Sequence, residues 1–278
     1  MRIFQLLIIL FLIQNCNNRS YHVQGTILEI RQSSKQFLIH HDEIPGFMMA
    51  MTMPFSVADS IDMQRFTIGD SVHFQLTIQD RQSISSKYKI MGKGNIPNLD
   101  DDWNNDEYTP LEIGEIINDA TFLDLDGNAK KISASDGKFR FISYIFSRCP
   151  MPNMCPAVIS KNQYLSKTFE KNPKIEFFLI SFDHIHDTPS IMKSMYGKYS
   201  DTYPNMKFYS SHGQLSDIIM FSNQSNLSFW GVNENDIGHT LRSIIIDPER
   251  RLMSAYEGMD WNPKTAERDI HNLLKAYY

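Results

Sequence analysis

Residues 139–171 read "FRFISYIFSRCPMPNMCPAVISKNQYLSKTFEK". The first eight are apolar, aromatic and β-branched almost without interruption, the pattern of a buried strand. From Pro156 onward the period changes, and Val158, Leu165 and Phe169 fall on one stripe of a helix. Between the two stand Cys149 and Cys155, two of the chain's three cysteines. Cys155 precedes Pro156, which suits a first helical position, so Cys155 is expected near a helix N-terminus. Unpaired N–H groups and the helix dipole there favour a thiolate and predict a lowered pKa for Cys155. On spacing alone a structural disulfide, a redox couple and a metal grip all stay open.

The same alternation continues downstream. "IEFFLISF" (175–182) is a second buried strand, and "TPSIMKSMYGKY" (188–199) is a helix opened by Pro189. "LRSIIID" (241–247) and "RLMSAYEG" (251–258) flank the turn "PERR" as a hairpin, and "NPKTAERDIHNLLKAYY" (262–278) closes as an amphipathic helix. A βαβ unit followed by a ββα unit predicts an α/β, thioredoxin-like domain over 111–278. The cysteine loop then lies on a strand-to-helix turn, where open α/β sheets build sites rather than staples.

Residues 21–92 read differently, as short alternating strands: "YHVQGTILEIR", "QFLIHH", "AMTMPFSV", "DSVHFQLTIQD" and "SSKYKIMG". They predict a small all-β, OB-like barrel. Residues 93–110, rich in Asn, Asp, Gly and Pro, are read as an acidic linker. At the N-terminus, Arg2 and a short apolar core followed by "NCNNRS" have the shape of an export signal, too short for a comfortable membrane span. "IQNC" resembles a bacterial lipobox, which implies a lipoprotein-type signal over 1–15, lipidation of Cys16 and a membrane anchor; a plain cleaved signal with Cys16 lost and an uncleaved anchor are the alternatives. Export puts the chain in the cell envelope, on the periplasmic side, where thiols can cycle. A net charge of −5 without any basic run argues against nucleic acid as a partner.

A metal grip at Cys149 and Cys155 needs a third donor. Zinc is disfavoured because the exported chain offers no further cysteine. His239 in "NDIGHTLRSIIID" is the candidate, since residues just before this hairpin strand lie opposite the cysteine loop in a thioredoxin-like fold. Two thiolates and an imidazole suit Cu(I) or Cu(II). The pieces "FSRCPMPNMCP", "SFDHIHDTP" and "GHTLRSIIIDPERRLMSAYEGMDW" occur in that order, and with them the chain from about Glu107 to Tyr278 resembles the Sco/SenC family of copper-handling proteins. The resemblance implies Cys149, Cys155 and His239 as copper ligands and a respiratory oxidase copper-bearing subunit as partner in cytochrome c oxidase assembly. It also implies thiol–disulfide work by the same cysteines, which pair as a disulfide when oxidised. Family members usually have three residues between the cysteines; here there are five. His184, where proline is common in the family, and His186 add candidates for a labile metal contact.

"IHHDEIPGFMMAMTMPF" (39–55) gathers four methionines and two histidines. Methionine at period two can simply line a strand, yet thioether sulfur is also a soft, neutral Cu(I) ligand that survives oxidising compartments. The stretch resembles CusF-type copper-binding barrels, whose signature is a histidine, an aromatic and "Met-Thr-Met". The resemblance implies His41, rather than His40, with Met51 and Met53 as Cu(I) ligands. Met48, with Phe47 beside it, occupies the place of the family's tryptophan and is a candidate fourth ligand.

The expected protein is therefore an exported copper chaperone with two soft-ligand sites, one able to take copper from other envelope donors and one to deliver it. A thiol–disulfide oxidoreductase or peroxide-handling relative is the enzymatic alternative, and a copper sensor or detoxifying buffer is the third.

Overall fold

Among the described residues, two seven-stranded sheets organise the chain. The computed structural model describes residues 19–79, 82–96, 109–230, 232, 236–258 and 261–278. The export segment with Cys16 and most of the expected linker lie outside them. Among the described residues no helix is long and apolar enough to cross a membrane.

The first sheet carries β1 (Arg19–Arg31), β2 (Gln36–His41), β3 (Ala50–Ser56), β4 (Asp70–Ile78) and β5 (Ser83–Lys93). β1 pairs antiparallel with β2 and β4, β2 with β3, and β4 with β5. A bridge from Val57 to Ser85, reinforced by the Ser85 hydroxyl on the Ser56 carbonyl at 2.7 Å, closes the barrel. Alternation along each strand turns Phe37, Phe55, Phe74 and Leu76 inward. Gly25 is required by contact rather than by a turn: a Cβ there would lie 2.5 Å from the His40 carbonyl oxygen. Its absence lets β1 press directly on the strand that carries His40 and His41.

The second sheet begins with the hairpin β6 (Thr121–Leu123) and β7 (Ala129–Lys131). Then follow β8 (Phe139–Ile145), α1 (Cys155–Thr168), β9 (Ile175–Ser181), α2 (Pro189–Thr202), β10 (Met206–Ser210) and α3 (Leu215–Gln224). Two short strands come next, β11 (Phe229–Trp230) and β12 (Asp236–His239), and the chain ends with β13 (Arg242–Ile246), β14 (Leu252–Glu257) and α4 (Pro263–Tyr277). The order β14-β13-β8-β9-β10-β6-β7 has a parallel centre, β8-β9-β10, with antiparallel flanks. Phe139, Phe141, Phe177 and Ile245 pack under α1 and α4 with Trp261, Ile270 and Leu274. On the opposite face Tyr144 meets α3, its hydroxyl 2.5 Å from Ser225 Oγ.

The sequence pattern did not announce β6, β7, β10, α3, β11 or β12. The last two also leave the thioredoxin-like sheet altogether. β12 pairs in parallel with β3, Asp236 beside Ala50, Ile237 beside Met51 and Gly238 beside Thr52, while β11 pairs with its far edge. The barrel sheet thus runs β11-β12-β3-β2-β1-β4-β5, and one continuous apolar core spans Met51 and Met53 of the barrel and Met151, Met154 and Cys155 of the cysteine loop.

Candidate metal centre

Two buried carboxylates hold the start of the cysteine loop. Asp187 accepts the Ser147 amide at 2.8 Å, the Ser147 hydroxyl and the Ser181 hydroxyl at 2.5 Å. Asp183 pairs with Arg148 at 2.8 Å. Burial pushes the Asp187 carboxyl above the usual range, against the hydrogen bonds that pull it down. The next turn, closed by Met154 N–H on the Met151 carbonyl at 3.0 Å, buries both methionines and leads into α1 at Cys155. Asn153 of this turn accepts a hydrogen bond from Ser83 of the barrel at 3.1 Å, and Pro150 and Pro152 share a cleft with Tyr21 and Phe47.

Both cysteines are free thiols, Cys149 half-buried and Cys155 buried. Their sulfurs are hydrogen-bonded to each other, and the pair divides its proton unequally. Cys149 lies below an ordinary thiol because the Cys155 thiol and the backbone N–H groups of Cys155 and Met151 point at its sulfur. Cys155 lies well above it, raised by burial, then by its bond to Cys149 and that sulfur's charge. This corrects the expectation of a lowered pKa at Cys155. The helix does stabilise a thiolate, but its first amide reaches back to Cys149 rather than serving the residue that carries it.

His239 is buried with its ring against Phe146 and Phe182, centroids 5.2 and 4.9 Å away, at the ends of the two strands that frame the cysteine loop. Phe146 also gives its backbone N–H to Cys155. His239 Nδ1 is 2.8 Å from the Thr240 carbonyl, which can only accept, so Nδ1 carries the proton and Nε2 a lone pair. That Nε2 is buried and has no hydrogen-bond partner among the described residues. Desolvation brings the imidazole down to about 4.

His41 repeats the arrangement in the barrel. Its Nδ1–H donates to the Asp42 carbonyl at 2.7 Å, its Nε2 is buried without a partner among the described residues, and burial brings it down to about 4. The pairing of β2 with β3 sets His41 opposite Met51 and Ile39 opposite Met53, so imidazole and both thioethers share the inner face. His40 is turned the other way and bonds Thr52 Oγ1 at 3.0 Å. Met48 is buried in the same core, and Phe47 stacks on Tyr21 at 4.2 Å.

The structure thus brings Cys149 to Cys155, and His41 to Met51 and Met53. It does not bring His239 onto the cysteine sulfurs, and among the described residues no three His, Cys, Asp or Glu side chains converge as a metal site. His186 is exposed and His184 half-buried; neither is gathered with further ligands. Met151 and Met154 were missed in the sequence although they stand between the cysteines. Their signal was two soft sulfurs inside a loop already suspected of holding a soft metal.

Residues 112–275 match the family model SCO1/SenC, and residues 20–88 match that of the copper binding periplasmic protein CusF. The chain is similar in structure to a SCO1/SenC family lipoprotein from Bacillus anthracis at 21% identity and a TM-score of 0.51, covering 59% of this chain and 97% of that one. It is also similar to copper-bound ScoI of Arabidopsis thaliana, at 16% identity and TM-score 0.49 over 59% of this chain and 100% of that one. Copper-bound yeast Sco1 is similar at 21% identity and TM-score 0.48, over 60% of this chain and 91% of that one. No curated protein matches the chain in sequence. The B. anthracis likeness gives the second sheet its thioredoxin-like fold.

Proposed function

The chain belongs to the SCO1/SenC family, and we propose that it is an exported copper chaperone whose barrel receives Cu(I) and whose thioredoxin-like domain passes it to the copper centre of a respiratory oxidase. One observation carries this reading: two buried imidazoles, each fixed through Nδ1–H to a backbone carbonyl, each keep a buried, unpartnered Nε2, that of His41 on a residue paired with Met51 and that of His239 at the ends of the strands that frame the cysteine loop. A backbone carbonyl on the remote nitrogen is the usual support of a metal-bound histidine, and an orphaned buried acceptor has a cost that a metal removes.

In the barrel His41, Met51 and Met53, with Met48 as fourth donor, are neutral ligands, so copper enters without displacing a proton. At the second site Cys149, the more readily deprotonated of the pair, takes the metal first, Cys155 follows, each sulfur releasing the proton it carries, and His239 completes the set. Oxidation of the pair to a disulfide removes both thiolate donors, so redox state gates loading. A lipid on Cys16 would hold the chain at the periplasmic face of the membrane, close to an oxidase.

Titrating the purified protein with Cu(I) before and after dithiol oxidation tests the proposal. Two equivalents falling to one on oxidation is the expected result. A single, oxidation-insensitive equivalent leaves the cysteines without a copper role. The unequal cysteine pair favours a second reading, in which Cys149 attacks a target disulfide and Cys155 resolves the mixed disulfide. Stoichiometric reduction of a disulfide substrate by the reduced, copper-free protein, which ends with Cys149 and Cys155 joined as a disulfide and is lost in Cys149→Ser, would place that activity first.

A further inference from the structure

Resting on the copper reading above, we propose that His239 belongs to both sites: docked on the barrel it completes a Cu(I) transit site with Met51 and Met53, and it accompanies copper to the cysteine pair. The argument starts from register. Ile237 lies beside Met51 and Gly238 beside Thr52, where the parallel pairing ends; β12 runs one residue further, and the same register carried on by that residue sets His239 level with Met53. Side-by-side residues in a ladder point to the same face, roughly 5 Å apart at Cβ. By alternation His239 falls on the same side of β12 as Ile237, which is paired with Met51, while His41 reaches the methionine face from the other neighbour, β2. The thioether strand runs between two imidazole strands.

Three further observations agree. His239 Nε2 is buried, carries a lone pair and lacks a partner among the described residues. His239 is not gathered with the cysteine sulfurs in this arrangement. Met151 and Met154, which the five-residue spacing inserts between the cysteines, are buried in the same continuous core as Met51 and Met53. Imidazole and thioether donors are thus present in the core that the barrel shares with the cysteine loop, and both suit a soft metal. The exchange moves no electron: copper stays Cu(I), the nitrogen and thioether donors are neutral throughout, and each cysteine sulfur gives up to solvent whatever proton it carries as it takes the metal.

The test uses the full chain carrying Cys149→Ser and Cys155→Ser, so that no thiolate of the loop remains and His239 is read against the barrel site. Cu(I) affinity is read by competition with a chromogenic chelator, with and without His239→Ala. The transit site predicts weakening on the order of tenfold or more when His239 is removed from this background. It also predicts that one equivalent of Ag(I), a diamagnetic stand-in, shifts the His239 Nε2 resonance in the cysteine-free chain with its histidines intact. This second readout holds even if the alanine variant fails to fold. An unchanged affinity or an unmoved His239 resonance, with His239→Ala still weakening the second equivalent in the cysteine-containing chain, overturns the transit site and leaves the chaperone standing. Absence of Cu(I) binding in both backgrounds overturns both.

Discussion

Lowering the pH from 7 to 5 should cost the copper-free protein about 4 kcal/mol through two side chains. His41 and His239 are buried neutral and titrate at about 4, against about 6.5 when the chain is unfolded. The unfolded state therefore binds more protons across this window, and stability falls as pH falls below 6.5. With those two values each histidine forfeits about 2 kcal/mol by pH 5 and about 3.4 kcal/mol once pH is well below 4. Two such losses are a large share of the roughly 5–15 kcal/mol that holds a domain together. The raised carboxyl of Asp187 acts in the opposite sense, but it is common to wild type and variants and cancels between them. Urea unfolding followed by tryptophan fluorescence at pH 7.5, 6.5, 5.5 and 5.0 measures the slope. His41→Gln should remove about 2 kcal/mol of the loss between pH 7 and 5 and the double variant with His239→Gln about 4 kcal/mol, leaving the part that His184 and Asp187 contribute to all variants. Equal slopes in wild type and double variant would refute the reasoning, whatever the variants do to stability at neutral pH.

Met53→Leu keeps the volume of a fully buried side chain and removes its sulfur, so unfolding free energy should change by less than about 1.5 kcal/mol while barrel Cu(I) affinity falls; a large stability loss with copper binding intact would reverse the assignment. Iodoacetamide at pH 7 should label Cys149 ahead of Cys155, as peptide mass mapping can resolve, because the first is the favoured and more exposed thiolate. Gly25→Ala forces a methyl against the His40 carbonyl and should destabilise by about 1–3 kcal/mol in a urea midpoint.

The cysteine loop was legible because a buried strand and an amphipathic helix differ in period, and the switch falls between Phe146 and Pro156. His41 with Met51 and Met53 was legible because period two puts both sulfurs on one face. What stayed hidden depends on long-range placement. "DIGH" has neither the length nor the alternation of a recognisable strand, and nothing local says that its partner is Ala50–Ser56. The proton preference within the cysteine pair was misjudged for a related reason. A helix terminus supplies N–H groups, but which sulfur receives them is decided by the turn at Met151–Met154. Likewise Asp187 was visible only as part of a familiar phrase, and its grip on Ser147 emerged from the fold.

The insertion of β12 beside β3 also has a temporal side. As the chain emerges from N-terminus to C-terminus, β1 to β5 can close early, yet the free edge of β3 waits for a strand at the far end of the sequence. Until Asp236–His239 arrives, that edge is an open hydrogen-bonding template of the kind that recruits other chains. Pairings of this distance in sequence form late, so an edge left without its partner strand is exposed for longer to other chains. The barrel expressed alone, ending before β12, should self-associate through β3.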